Sequence, residues 1–159
     1  MIETITVDLN SNDHGRDVLR LLDAYAKDIM GGGQSLPEYT KANLIGELSQ
    51  REDCVVILTH VDHEAAALAI CFEGFSTFAC RPILNIHDVM VESKFRGQGL
   101  SVELLKKAES EAMERGCCKM TLEVLSGNHR AAKIYRKFGF SPYELNDEMG
   151  QAMFYEKKL

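Results

Sequence analysis

A chain of 159 residues, 45% of them hydrophobic and 26% charged, has the length and balance of one ordinary globular domain spanning 1–159. Eighteen Lys and Arg against 24 Asp and Glu leave a net charge of −6, which argues against a nucleic-acid or anionic-membrane partner. The longest apolar run, Ala65–Phe72, is far short of the roughly 20 residues that a membrane-spanning helix needs.

The elements read in chain order. Ile2 to Leu9 alternates as a first strand. From Asp13 to Met30, Val18, Leu21, Leu22, Tyr25 and Ile29 recur at helical spacing, and Gly31-Gly32-Gly33 ends the helix. Ser35-Leu36-Pro37-Glu38 has the spacing of a capping box for a second helix reaching about Arg51. Cys54–His60 and Ala65–Ser76 form an antiparallel hairpin around a polar turn, and Ile83–Val91 is a further strand. A helix then runs to Arg115 with Leu104, Leu105, Ala108 and Ala112 on one face and Gly116 as its stop. Lys119–Leu125 alternates as a strand, and His129–Phe138 is a helix closed by Gly139-Phe140 in a Schellman pattern. Gln151–Lys157 is expected as a last strand. The order β-α-α-β-β-β-α-β-α-β predicts an α/β fold: a mixed, mostly antiparallel sheet with helices on both faces.

The five cysteines include no Cys-x-x-Cys pair or Cys/His cluster, so they read as reduced packing residues with no metal site. The N-terminus lacks a basic stretch followed by an apolar one, so a cytoplasmic location is expected.

The chemistry concentrates between the strand Ile83–Val91 and the helix after it. Arg96-Gly97-Gln98-Gly99-Leu100-Ser101 is a glycine turn opening a helix, a unit whose backbone can approach a phosphate while the first helical N–H groups point at the anion. Its spacing matches neither a nucleotide-hydrolase P-loop nor a dinucleotide fingerprint, and glycines alone are equally compatible with a tight turn and helix cap.

That segment resembles the Gln/Arg-x-x-Gly-x-Gly/Ala motif of the GCN5-related N-acetyltransferases, the GNAT family. Asn128, Ala131-Ala132, Tyr135 and Phe138-Gly139-Phe140 are similar to the family's later motif. Ser101 departs from the usual Gly or Ala. The resemblance implies that Arg96, Gly97, Gln98, Gly99, Leu100 and Ser101 cradle the pyrophosphate of acetyl-CoA. It further implies that Asn128 bonds the pantetheine arm and that backbone groups near Met90 and Val91, on a splayed strand, hold the pantetheine and acetyl group. Asn128 also suits a helix N-cap, and the two roles are compatible. Tyr135 resembles the family's general acid, which protonates the departing thiolate, although helical period alone makes it a core tyrosine beside Ile134 and Phe138.

Transfer to an amine requires a neutral nucleophile, and a lysine-type ammonium has a pKa of about 10.4. His87 is the candidate base, four residues before Val91, where several family members place a glutamate; a packed strand histidine is the equal alternative. Asp88 is expected on the opposite sheet face, with Asn85 on the face of His87 lining an acceptor pocket. The family's acceptor pocket also implicates the segment Gly31-Gly32-Gly33-Gln34-Ser35, with Gly33 at its centre, and Glu73 as charge for a cationic amine. The three glycines point to a mobile lid, close backbone approach to a ligand, or a plain connector.

The leading expectation is an acetyl-CoA-dependent, metal-free N-acetyltransferase acting on a small amine, with homodimers expected from the resemblance. Acetylation of a protein lysine or N-terminus is the alternative within enzymology, and a non-catalytic acyl-CoA sensor is the alternative outside it.

Overall fold

The computed structural model describes residues 1–159, which divide into two compact units, Met1–Leu125 and Ser126–Leu159. The first holds β1 (Ile2–Thr6), α1 (Asn12–Lys27), a 3₁₀ turn (Ile29–Gly31), α2 (Glu38–Ser49), β2 (Cys54–Val61), β3 (Glu64–Ser76), β4 (Arg81–Val91), a second 3₁₀ turn (Ser93–Phe95), α3 (Leu100–Glu114) and β5 (Met120–Leu122). The second unit holds α4 (His129–Phe138).

The five strands form one sheet in chain order. The first three junctions are antiparallel and β4 pairs with β5 in parallel, as expected for a mixed, mostly antiparallel sheet. Its two faces carry separate apolar layers. Val18 and Leu21 of α1 and Leu48 of α2 pack with Val56, Leu58, Leu68, Ile70 and Met90 on one face. On the other, α3 lies over β2, β3 and β4, presenting the buried Leu104, Leu105, Ala108 and Ala112. The central strand β3 is buried from Ala65 to Cys71, as a strand covered on both faces must be.

Three local expectations are corrected. The first helix ends at Lys27, short of Met30, because Asp28 turns to extended backbone and its carboxylate accepts the Met30 N–H, starting a separate 3₁₀ turn. The capping box does not form: Pro37 occupies the N-cap of α2 without a side-chain hydrogen bond, while the Ser35 hydroxyl donates to Asp23 Oδ1 at 2.7 Å. The strand expected over Gln151–Lys157 is absent; Gln151 makes one bridge, to Glu144, and Met153, Phe154 and Tyr155 are all exposed. An alternating segment becomes a strand only where a sheet edge pairs along its length.

The helix stops read at Gly116 and Gly139 are present. Gly116 (φ 70°) and Gly139 (φ 113°) are left-handed. Cys117 N–H donates to Ala112 O and Phe140 N–H to Tyr135 O, the six-residue closure of the Schellman motif.

Candidate active site

The loop from Arg96 to Ser101 is built by two left-handed glycines and a helix start. After the 3₁₀ turn at Ser93–Phe95, Arg96 is extended, Gly97 has φ 86° and Gly99, the N-cap of α3, has φ 82°. These values disfavour any residue with a Cβ. Leu100 is 1% exposed and anchors the helix start in the core. The backbone N–H groups of Gly97, Gln98, Gly99, Leu100 and Ser101 donate to no acceptor in the protein, and a Cβ added at Gly97 or Gly99 would meet nothing within 4 Å. Five consecutive donors around open space, at the positive end of a helix of 15 residues, form a concavity that fits a pyrophosphate.

Beside this loop the sheet opens. β5 pairs with β4 only from Leu84 to Ile86, so β4 from His87 to Val91 keeps β3 on one edge and has no strand on the other. Leu84 N–H donates to Lys119 O across the closed part of that junction, and Glu92 N–H donates to Ala66 O on the β3 side. Ladder alternation therefore turns the backbone groups of Val91 to the open edge. The side chain of Met90, 6% exposed, points into the layer under α1 and α2.

A β-bulge sits where the edge opens. Cys71 faces Ile86 and Ile70 faces Asp88, which leaves His87 as the extra residue. The bulge shifts the alternation by one position, so Asp88 does not point to the face opposite His87. Its partner Ile70 belongs to the layer under α1, and the His87 ring lies edge-on to Phe72, 5.5 Å between centroids, on that same layer. Asp88 is half-buried, accepts no hydrogen bond from the protein and forms no salt bridge; burial pushes its carboxyl above the usual range, and His87 opposes the rise. The Tyr25 hydroxyl, half-buried on α1, is likewise pushed up by burial and then by the charges of Asp88 and Asp28. Asp88 escaped sequence reasoning because an uninterrupted strand places it on the wrong face.

Other expected acceptor residues have protein partners. The Asn85 side-chain amide donates to Thr121 Oγ1 at 3.1 Å, fastening β5 to β4 just before the edge opens. Glu73 is paired with Arg115 Nη1 at 3.0 Å, at the closed end of the sheet, so its charge is already answered. Gly33 donates its N–H to Asp28 O at 3.1 Å. Arg96 is turned toward the α1–α2 turn: its Nη2 meets Asp28 Oδ2 at 2.7 Å and its Nε donates to Val91 O at 3.1 Å.

In the second unit, Asn128 caps α4. Its Oδ1 accepts the Ala131 N–H at 3.2 Å, and its side-chain NH₂ makes no hydrogen bond within the protein. Tyr135 is half-buried on α4, and its ring sits 6.1 Å from that of Phe140 in an edge-on pair, the apolar contact that accompanies the Schellman closure. Burial pushes the thiols of Cys54 and Cys71 up to about 11 and about 12 and raises that of Cys117, away from thiolate chemistry. No group of three or more His, Cys, Asp or Glu side chains gathers to hold a metal ion, and no helix is long and apolar enough to cross a membrane.

An unpaired half-strand leads into a turn of free amides, and the family assignment comes from comparison. The family model of the acetyltransferase (GNAT) family matches residues 18–140, and the chain belongs to that family. Among curated relatives, a thialysine N-epsilon-acetyltransferase of Bos taurus is 35% identical over 66 residues, 42% of this chain and 38% of that protein. A stretch of 58 residues is 33% identical to a putative ribosomal-protein bS18-alanine N-acetyltransferase of Bacillus subtilis, 36% of this chain and 38% of the relative. The chain thus spans about two-fifths of the length of either relative. The fold is shared with an aminoglycoside acetyltransferase from an uncultured soil sample, TM-score 0.80 at 14% identity, covering 99% of this chain and 96% of that one. It is shared also with a ribosomal-protein-alanine N-acetyltransferase from Brucella melitensis, TM-score 0.77 at 15% identity, covering all of both chains.

Proposed function

We propose that this protein transfers the acetyl group of acetyl-CoA to a primary amine of a small molecule by direct attack on the thioester. The observation that carries the proposal is the run of five acceptor-free amides, Gly97 to Ser101, beside the open edge of β4. When bound, acetyl-CoA supplies an activated acyl group whose thiolate can depart. The amides of Gly97, Gln98, Gly99, Leu100 and Ser101 would hold the pyrophosphate, with Arg96 shaping the loop through Val91 and Asp28 rather than by reaching the phosphate. Backbone groups at Val91, next to Met90, would line the arm, and an amide there would stabilise charge developing on the thioester oxygen. The free side-chain NH₂ of Asn128 would donate to the arm while Oδ1 caps the helix, so its two roles use different atoms.

The acceptor arrives as an ammonium and must lose a proton before it can attack. His87, exposed on the bulge and next to Asp88, would take that proton. Asp88 acting itself as the base is the second reading, favoured by its half-burial without a hydrogen-bond partner. Tyr135 would return a proton to the thiolate. A small amine is supported by the names of the thialysine and aminoglycoside relatives; the ribosomal-protein relatives support a protein N-terminus as the alternative acceptor. A cytoplasmic setting suits five cysteines none of which is in a disulfide.

Thermal unfolding with and without acetyl-CoA tests the proposal, because a ligand held by the native state alone raises its stability, by roughly 2.7 kcal/mol at a hundred times Kd. The expected result is a rise in Tm that Gly99→Val removes, followed by CoA thiol release with small amines and not with alanine-terminated peptides. A rise in Tm without release on any amine or peptide leaves a non-catalytic acyl-CoA sensor. No rise removes the proposal.

A further inference from the structure

The turn joining α1 to α2 is a built object, and one residue organises it. Asp28 O accepts the N–H groups of Gly31 and Gly33 at 2.9 and 3.1 Å, and Asp28 Oδ1 accepts that of Met30 at 3.0 Å. Gly31 is required because a Cβ there would overlap the Tyr25 carbonyl oxygen at the end of α1, and Gly32 and Gly33 are left-handed, φ 110° and 77°. The far end is pinned by Asp23, whose Oδ1 accepts the Ser35 hydroxyl and the Leu36 N–H at 2.7 and 2.8 Å. The glycines thus serve close approach to α1 and a tight reversal, which is the opposite of a slack connector.

The remaining carboxylate oxygen of Asp28 leaves this turn and meets Arg96 Nη2 at 2.7 Å. Arg96 is the residue immediately before the free-amide loop, and its Nε is held by Val91 O at the last residue of β4. Arg96 holds the Asp28 carboxyl below the usual range, with the Met30 N–H adding to the effect, so the link is fully charged at neutral pH. Three segments therefore meet through two side chains: the end of β4, the start of the phosphate loop and the triglycine turn.

We propose that Asp28 and Arg96 are positioning residues that couple the cofactor loop to the acceptor-side turn, so that an anion fixing the amides of Gly97 to Ser101 also orders Met30 to Gln34. The inference rests on the proposed acetyl-CoA site and on that turn flanking the acceptor. Its physical basis is shared ordering: holding the loop backbone immobilises Arg96, Arg96 holds Asp28, and the entropy of settling the turn is then spent before the amine arrives. The guanidinium already faces the turn, so filling the cradle does not require breaking the link.

Amide hydrogen exchange on the full chain, with and without acetyl-CoA, tests this in the wild type, Asp28→Asn and Arg96→Gln. Asp28→Asn keeps an acceptor for the Met30 N–H and removes the charge that meets Arg96. The expected result is about tenfold faster exchange at residues 30–34 in both variants, with β2 and β3 unchanged. Acetyl-CoA should slow residues 30–34 in the wild type but not in Asp28→Asn, while still protecting 97–101 there. In steady state, Asp28→Asn should raise KM for the amine about tenfold while kcat stays within about twofold, a split that loss of structure would not produce. Equal protection of 30–34 by acetyl-CoA in wild type and Asp28→Asn overturns the coupling. Failure of acetyl-CoA to protect 97–101 in the wild type overturns the cofactor reading instead, and the unliganded comparison of the three proteins still decides whether the link orders the turn.

Discussion

The two halves of β4 are made of the same kind of residue and do different work. From Leu84 to Ile86 the strand has neighbours on both edges, β3 and β5, and Leu84 and Ile86 are 0% and 2% exposed. From His87 to Val91 one neighbour is gone, a bulge shifts the side-chain alternation, and the strand runs into a loop of unpaired amides. The last paired rung, Ile86 with Leu122, lies one residue beyond the Asn85 to Thr121 bond. Where both edges are paired, backbone groups satisfy each other and side chains have only to pack. Where a strand is withdrawn, one edge of the backbone is left without a partner strand.

If this division is right, substitutions in the open half lose activity and those in the closed half lose stability. The largest expected effect is His87→Ala, which should lower kcat/KM by about 10²- to 10⁴-fold and remove the acidic limb of its pH profile with little change in Tm. A retained limb would pass the base role to Asp88. Leu84→Ala should cost about 2 to 5 kcal/mol in denaturant unfolding, with kcat of the remaining folded enzyme close to normal.

Asn128→Ala, outside β4, should cost about 1 kcal/mol through the lost cap and raise KM for acetyl-CoA. A stability cost with no change in that KM would reduce Asn128 to a cap alone.

The smallest effect is Asp88→Asn, a gain of about 1 kcal/mol or less at pH 7. The sign follows from burial. The Asp88 carboxyl has a raised pKa in the folded protein, so its ionised form costs stability at neutral pH. That cost disappears as pH falls through the folded-state value and the group protonates. The advantage of Asp88→Asn should therefore shrink on acidification, and an advantage that grows would reverse the assignment.

Much of this division was legible in the residues. The apolar stripes of α1 and α3, the left-handed stops at Gly116 and Gly139 and the glycine turn before Leu100 all follow from local rules, each within a few residues. The remainder turns on long-range partners. Ser35 was expected to cap its own helix and instead reaches Asp23, 12 residues away. Glu73 and Asn85 carry the chemistry of an amine pocket but are engaged by Arg115 and Thr121, 42 and 36 residues away. The terminal segment has an alternating pattern but pairs at a single bridge.

The sequence by itself determined the order of elements up to α4, the two apolar layers and the position of the amide loop, because helix period, strand alternation and glycine's access to positive φ act over a few residues. Tertiary structure alone decided three things: that β5 stops at Leu122 and opens an edge of β4, that the bulge brings Asp88 to the face of His87, and that Asp28 reaches Arg96 across 68 residues. Each depends on which strand or loop a segment finds as its neighbour, and no residue carries that information in its own side chain.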